Sequence, residues 1–266
     1  MMVFPGVIPG IPAYTVKLNA KLPNATPSVR GLIALIETDT GRLLAVMDSM
    51  RITAVRTAVM GALSAEVLAR RDIETVGVIG AGTQGREQLR ALKLVRSFRH
   101  VRIHDVLPDR AKRLAERVPE MVGARVTVAA TVAEAVQDAD VVITATWSTT
   151  PFLHAAMIAK GVHIIAVGAD EPGKAELSAD LIRRSVLVCD DVDLAVRMGA
   201  LAGVGLGRDM ARGSLSDVLA GNCGGRASAD EITVFASVGL AYQDLAAAWT
   251  VYNAAVSTSS RFDFIG

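Results

Sequence analysis

Cysteine is nearly absent from this chain of 266 residues, which carries only Cys189 and Cys223. Two cysteines cannot build a disulfide framework, and these lack the spacing of a metal site. Cys189 closes the apolar run Ser185-Val-Leu-Val-Cys189 and reads as a core strand residue, so no catalytic thiol is expected. Charge of one sign is also missing. A formal net charge of +1 gives no electrostatic case for nucleic acid or an anionic membrane as partner. Arg110, Arg113 and Arg117 cluster, but at helical spacing, which predicts a solvated helix face. No stretch reaches the ~18 uninterrupted apolar residues of a membrane span, and no basic region precedes an apolar one in Met1–Gly6. A cytoplasmic protein is the expectation. Internal repeats and low-complexity segments are lacking as well.

What the chain does have is apolar residues: 51% of the total, with a mean hydropathy of +0.38. That suffices for one large or two modest domains with substantial cores. It also suggests apolar surface buried against another subunit.

The most informative stretch runs from Thr75 to Arg86, where an apolar segment breaks into closely spaced glycines and then into a helical pattern. Val76, Val78 and Ile79 suit a buried parallel strand, while Gly80, Gly82 and Gly85 have the G-x-G-x-x-G spacing of a dinucleotide fold. Each glycine has its own reason. Gly80 permits the tight turn, Gly82 removes a side chain where backbone must approach a pyrophosphate, and Gly85 lets the next helix pack closely on the strand. The first amides of the helix beginning near Thr83 would face the phosphates with the positive end of its dipole. A second strand-like run from His100 ends in Asp105, about 20 residues beyond the last glycine, where such folds place a carboxylate for the ribose hydroxyls. A 2′-phosphate would meet Asp105 as a like charge, so NAD is favoured over NADP.

From Glu74 to about Asp190 strand-like and helical runs alternate, the pattern of a parallel sheet covered on both faces. Strands are predicted at 76–79, 101–105, 125–128, 141–145, 163–167 and 186–189, and helices at 84–95, 109–117, 132–138, 155–159 and 179–183. The first seventy residues read instead as an antiparallel sheet: strands at 14–19, 31–37 and 43–48, with Asp39-Thr-Gly41 as a hairpin turn. An Ala-rich helix over 49–70 follows. The tail, strand-like at Glu231–Phe235 and helical over 239–255, is expected to return to the N-terminal sheet. The fold class is therefore α/β: a Rossmann domain over 71–209, and a smaller, discontinuous α+β domain over 1–70 and 210–266. The small sheet would expose its edges if left alone, which predicts a homo-oligomer.

Chemistry is sought beyond the carboxyl ends of the parallel strands, where open α/β sheets bind ligands. The segment Ala166–Leu177 leaves such a strand and carries Asp170 and Lys174. Asp170 there suits proton transfer, although on residue type alone a loop Asp making a local turn bond is the plainer reading. Lys17, inside a strand pattern, and Arg56, inside a helical one, are cations suited to a substrate carboxylate. Their plainer readings are a lysine snorkelling at a sheet edge and an exposed helix arginine.

Taken in order, Val16-Lys-Leu-Asn19, Leu44–Asp48, Ile52–Thr57, Gly80–Gly85, Val167–Leu177, Glu231–Gly239 and Gln243-Asp244 resemble the ornithine cyclodeaminase and mu-crystallin family. The resemblance runs from about Pro12 to the end. The regions Glu231–Phe235, Tyr242–Asp244 and Arg261–Phe264 look most like its archaeal alanine dehydrogenase branch. It implies NAD as cofactor, a homodimer, and hydride transfer between an L-amino acid and NAD through an imine. Oxidative deamination is the leading expectation. Ornithine cyclodeamination and ketimine or pyrroline-2-carboxylate reduction stay open, as does a non-catalytic, crystallin-like nucleotide-binding role. By resemblance Asp170 would be the catalytic acid/base, and Lys17 would hold the substrate carboxylate or activate water. Arg56 would sit at the substrate and nicotinamide end, and Val238 against the substrate. Ser28, Thr83, Gln84, Asp105, Thr146, the backbone of Val167, Gly168, Ala169 and Asp170, Lys174 and Ser237 would line the NAD site. Family members carry a further N-terminal segment with an arginine that clamps the substrate carboxylate. Its lack would weaken substrate binding by about 1.5–3 kcal/mol, the scale of a charged hydrogen bond.

Overall fold

The computed structural model of the chain describes residues 1–22 and 29–255. Ser28 and the Arg261–Phe264 region lie outside the described residues. The chain divides into two compact units, one formed by 1–56 with 239–266 and one by 57–238.

The first unit holds a four-stranded antiparallel meander of β1 (Met2–Val7), β2 (Ala13–Lys21), β3 (Val29–Glu37) and β4 (Leu43–Asp48), paired in that order. Three of these strands were expected. β1 was not, and it pairs along β2 from Met2 opposite Asn19 to Val7 opposite Tyr14. Its run Met2-Val-Phe-Pro-Gly-Val7 is interrupted by proline and glycine, which the sequence pattern reads as breakers. Proline is tolerated because β1 is an edge strand. The β3–β4 turn closes as predicted, with Gly41 at a φ of 72° and its N–H donated to the Glu37 carbonyl. β2 alternates in burial, and its inward positions Ala13, Thr15, Lys17 and Asn19 are mostly polar. Helix α9 (Ala241–Ala255) packs on this sheet, setting Leu245 and Ala248 against Ala13, Leu35, Ile33 and Ile52.

Helix α1 (Ser49–Leu68) leaves the first unit and enters the second at Thr57. The second unit is built on an eight-stranded, wholly parallel sheet of β5 (Thr75–Ile79), β6 (His100–His104), β7 (Arg125–Val128), β8 (Val141–Thr144), β9 (His163–Ala166), β10 (Ser185–Cys189), β11 (Ala211–Ser214) and β12 (Ile232–Ala236). Its order is β11-β10-β12-β9-β8-β5-β6-β7. The crossovers include α2 (Thr83–Val95), α3 (Pro108–Ala115), α4 (Val118–Val122), α5 (Val132–Val136), α6 (Ala179–Arg183), α7 (Val192–Met198) and α8 (Leu215–Leu219). β8, β9 and β12 are buried along their whole length because both faces are covered. Val76, Val78, Ile103, Ile143 and Phe235 point into one core; Ile79, Val142, Ile164, Leu187 and Val234 point into the other. Arg110, Arg113 and Arg117 are exposed, as their spacing predicts.

Three expectations need correction. The strand near 231–235 does not belong with the N-terminal sheet: β12 lies between β9 and β10 in the parallel sheet. All five of its residues are buried, which is what an interior parallel strand requires and a solvent-facing antiparallel one does not. The unit boundaries accordingly fall at Arg56/Thr57 and Val238/Gly239, so 57–70 and 210–238 sit in the second unit rather than the first. The helix predicted at 155–159 is a 3₁₀ turn over Ala155–Met157. Among the described residues no helix is long and apolar enough to cross a membrane.

Candidate functional site

The parallel sheet changes direction of winding between β5 and β8, since β6 and β7 run out to one side and β8 and β9 to the other. That switch point is where open α/β sheets hold ligands, beyond the carboxyl ends of the strands. The glycine turn leaves β5 there. Gly80 has a φ of 100°, and a Cβ on it would stand 2.4 Å from the Ala145 carbonyl oxygen. A Cβ on Gly85 would stand 2.0 Å from the Gly80 carbonyl oxygen, so α2 can lie on the turn only without a side chain. Around Gly82 nothing comes within 4 Å of that position. Two glycines are thus demanded by the fold, and the third is demanded by nothing among the described residues. Gly82 is the N-cap of α2 and offers no side chain to its first amides. Gln84 adds a buried side-chain oxygen that has no hydrogen-bond partner among the described residues.

Asp105 follows β6 and accepts N–H bonds from Ala81 at 2.8 Å and Leu107 at 2.9 Å. The first of these ties it to the glycine turn. An open cradle at Gly82, an orphaned Gln84 oxygen and a carboxylate fixed beside the turn fit a dinucleotide and its ribose hydroxyls.

At the ends of β8 and β9 one buried carboxylate makes four contacts. Glu176 accepts the Thr146 N–H and hydroxyl, both at 2.8 Å, on Oε1, and the Thr144 hydroxyl at 2.7 Å and Gly168 N–H at 2.9 Å on Oε2. Burial pushes its pKa above the usual carboxylate range, and the four bonds offset only part of that. Val167 and Ala169 are buried beside Gly168, and Asp170 emerges from this segment. Lys174 donates to Asp170 at 2.8 Å, lies 3.0 Å from Glu171, and has its ammonium 4.0 Å from the centre of the Trp147 ring. Burial alone would lower the Lys174 pKa, but the Asp170 and Glu171 carboxylates outweigh it and hold the ammonium charged.

Ser237 and Val238 leave β12 and are held by Asp190, which accepts the Ser237 hydroxyl at 2.8 Å and the Val238 N–H at 3.0 Å. The structure thus brings Gly80–Gly85, Asp105, Thr146, Val167–Asp170, Lys174, Ser237 and Val238 to the carboxyl ends of the parallel strands of one unit.

Lys17 and Arg56 lie in the other unit and are brought together there. Lys17 is 3% exposed, at an inward position of β2, and its Nζ lies 2.6 Å from Asp244 Oδ2. Arg56 donates from Nε to Asp244 Oδ1 and from Nη1 to Gln243, both at 2.9 Å. Neither plainer reading survives: with β1 and β3 on both sides β2 is not an edge, and the Arg56 side chain is 10% exposed. Gly239, at a φ of 90°, leaves the space the guanidinium occupies, since a Cβ would meet it at 2.9 Å. One carboxylate therefore stands between two cations.

Sequence reasoning assigned no role to Asp244, Gln243, Glu176, Asp190 or Trp147. For Gln243-Asp244 a signal existed: two polar residues interrupt the apolar opening of the last helix and both are buried, at 6% and 1% exposure.

The sequence matches the model of the ornithine cyclodeaminase/mu-crystallin family over residues 1–259. The chain belongs to that family. Within it, the chain is 36% identical to the alanine dehydrogenase of Archaeoglobus fulgidus over 236 residues, covering 87% of this chain and 72% of that protein. Among solved structures, an archaeal alanine dehydrogenase dimer with bound NAD superposes with a TM-score of 0.92 at 33% identity, over 99% of this chain and 84% of that one. The Thermococcus litoralis Delta(1)-pyrroline-2-carboxylate reductase, in complex with NADH and L-proline, gives a TM-score of 0.88 at 31% identity, over 92% and 79%. The family resemblance and its fold are thereby established for the whole described chain.

Proposed function

We propose that this chain is an NAD-dependent oxidoreductase that moves hydride between the α-carbon of a small L-amino acid and NAD, in the manner of alanine dehydrogenase. The observation that carries the cofactor is the glycine turn, whose middle glycine faces open space while the other two are packed. Gly82 and the amides opening α2 would hold the pyrophosphate, the Gln84 oxygen and Asp105 would accept the ribose hydroxyls, and Thr146, Val167–Ala169, Lys174 and Ser237 would line the nicotinamide half. The family resemblance adds Ser28 and Arg56 to the cofactor and sets Val238 against the substrate. Bound there, NAD supplies the two-electron acceptor. Similarity to the archaeal alanine dehydrogenase supports the substrate class.

The chain's own residues manage charge and protons. An α-ammonium has no lone pair with which to form an imine, so a base must first remove a proton. Asp170 is that base; it is a third exposed and kept in place by Lys174. Lys17 and Arg56, held by Asp244, bind the substrate carboxylate, which fixes the orientation of the α-carbon. Water then releases a 2-oxo acid and ammonia. The similarity to a pyrroline-2-carboxylate reductase supports a second reading, in which a cyclic imine is the physiological substrate and the reaction runs toward the amino acid.

The test is to incubate the protein with NADH, ammonia and pyruvate, and separately with NAD and ornithine, or NADH and pyrroline-2-carboxylate. Loss of NADH absorbance in the first is expected. Proline formed from ornithine with no net change in NADH, or turnover of the cyclic imine alone, would replace alanine with that substrate. Asp170→Asn should abolish turnover and keep NADH binding; a protein that binds NADH and turns over none of these substrates is a non-catalytic member. The family resemblance to a dimer also supports a homodimer for this chain.

A further inference from the structure

The parallel ladder between β8 and β9 continues one step past the strands, with Val167 N–H donated to the Thr144 carbonyl at 3.0 Å. Beyond it the two chains part. The next inward-facing amides, of Thr146 and Gly168, find no strand opposite and instead meet the Glu176 carboxylate, one on each oxygen. Both amides can only donate, and the carboxylate offers each of them an oxygen of its own. The chain is shaped to admit it: a Cβ on Gly168 would stand 2.2 Å from Glu176 Oε1. Glu176 is itself pinned, because its carbonyl accepts the Phe152 and Leu153 N–H groups at 3.0 Å and Leu177 bridges to Leu153. On the far side, the Thr146 methyl group and the Ala145 carbonyl close in at 3.2 Å and 2.4 Å on the Cβ position of Gly80. A continuous line of contacts therefore runs from Gly168 through Glu176 and Thr146 to the glycine turn.

We infer that Glu176 is a positioning residue for the cofactor site: its carboxylate replaces the missing strand ladder and sets the separation of the Thr146 and Gly168 loops against the glycine turn. This rests on the assignment of NAD to those loops. It touches no reacting atom, and its effect is on the width of the cradle.

The variant Glu176→Gln keeps the size and presents an amide donor to one of the two N–H groups. The shorter Glu176→Asp keeps the charge and cannot span both. NADH titration by protein fluorescence and thermal unfolding are measured for each, beside Thr144→Val, which removes a hydroxyl from the same carboxylate and leaves both N–H bonds. Glu176→Gln and Glu176→Asp should bind NADH about tenfold more weakly or worse. KM for NAD should rise by the same factor while kcat at saturating NAD changes far less. Thr144→Val should lower Tm and leave NADH affinity unchanged. Folded Glu176 variants with wild-type affinity overturn the inference, and so does a Thr144→Val that loses as much affinity as they do. Loss of folding in both Glu176 variants overturns it too, because the carboxylate would then hold the domain rather than the site. Failure of the unaltered protein to bind NADH instead removes the cofactor assignment on which the inference stands.

Discussion

His163 opens β9 without any exposure, its ring between the Ser64 hydroxyl at 3.2 Å and the Thr233 hydroxyl at 2.9 Å. Burial, reinforced by the Arg226 and Arg96 guanidinium groups, pushes its pKa down from 6.5 to about 3. The folded chain therefore keeps this imidazole neutral, whereas the unfolded chain takes up a proton below pH 6.5. The contribution to stability is complete above that value and is lost as pH falls toward 3, amounting to about 2 kcal/mol by pH 5. Urea unfolding at pH 7 and pH 5 should show this loss, and His163→Gln should flatten it. An equal loss in the variant would assign the acid limb to other groups. The same residue shows why sequence reading stopped short. A histidine at the head of an apolar run carries no mark of the Ser64 and Thr233 side chains that come from 99 residues before it and 70 after.

For single elements, the glycine turn separates fold from function. Gly82→Ala meets nothing within 4 Å among the described residues and has no positive φ to relieve, so it should leave Tm unchanged and weaken NADH binding. Gly80→Ala must strain a φ of 100° and displace the Ala145 carbonyl, costing at least about 1–2 kcal/mol before any ligand is added. Paired thermal-shift and NADH titrations decide it; a Gly82→Ala that binds normally would take the pyrophosphate away from this turn. Elements built on apolar runs were legible to within a residue or so, as at Thr75–Ile79 and Ser185–Cys189. β1 was not, because Pro5 and Gly6 break the pattern that an edge strand tolerates. The glycine turn was legible because Gly80 has one job, a tight turn at a positive φ. The site was hidden where the work is done by a carboxylate gathering amides from separate loops, as Glu176 and Asp190 do, because no spacing encodes that convergence.

Across the whole molecule, apolar residues left in solvent include Val3, Val7 and Val46 on the antiparallel sheet and Val55, Val59 and Leu63 at four-residue intervals along α1. Spacing of that kind makes a stripe on one side of a helix. A homodimer should be found by sedimentation at micromolar concentration, and replacing Val59 and Leu63 by Glu should shift it toward monomer if the stripe is the contact. A monodisperse monomer would overturn this. The position of β12 has a further consequence, for synthesis. Its five residues fill the slot between β9 and β10, yet they follow β10 by more than forty positions in the chain. On the ribosome, then, β9 and β10 emerge with facing edges unpaired, and the parallel sheet stays split until residue 236 has cleared the exit tunnel. Such late, non-local pairing is slow. The nascent chain carries two buried-type strand edges through that interval.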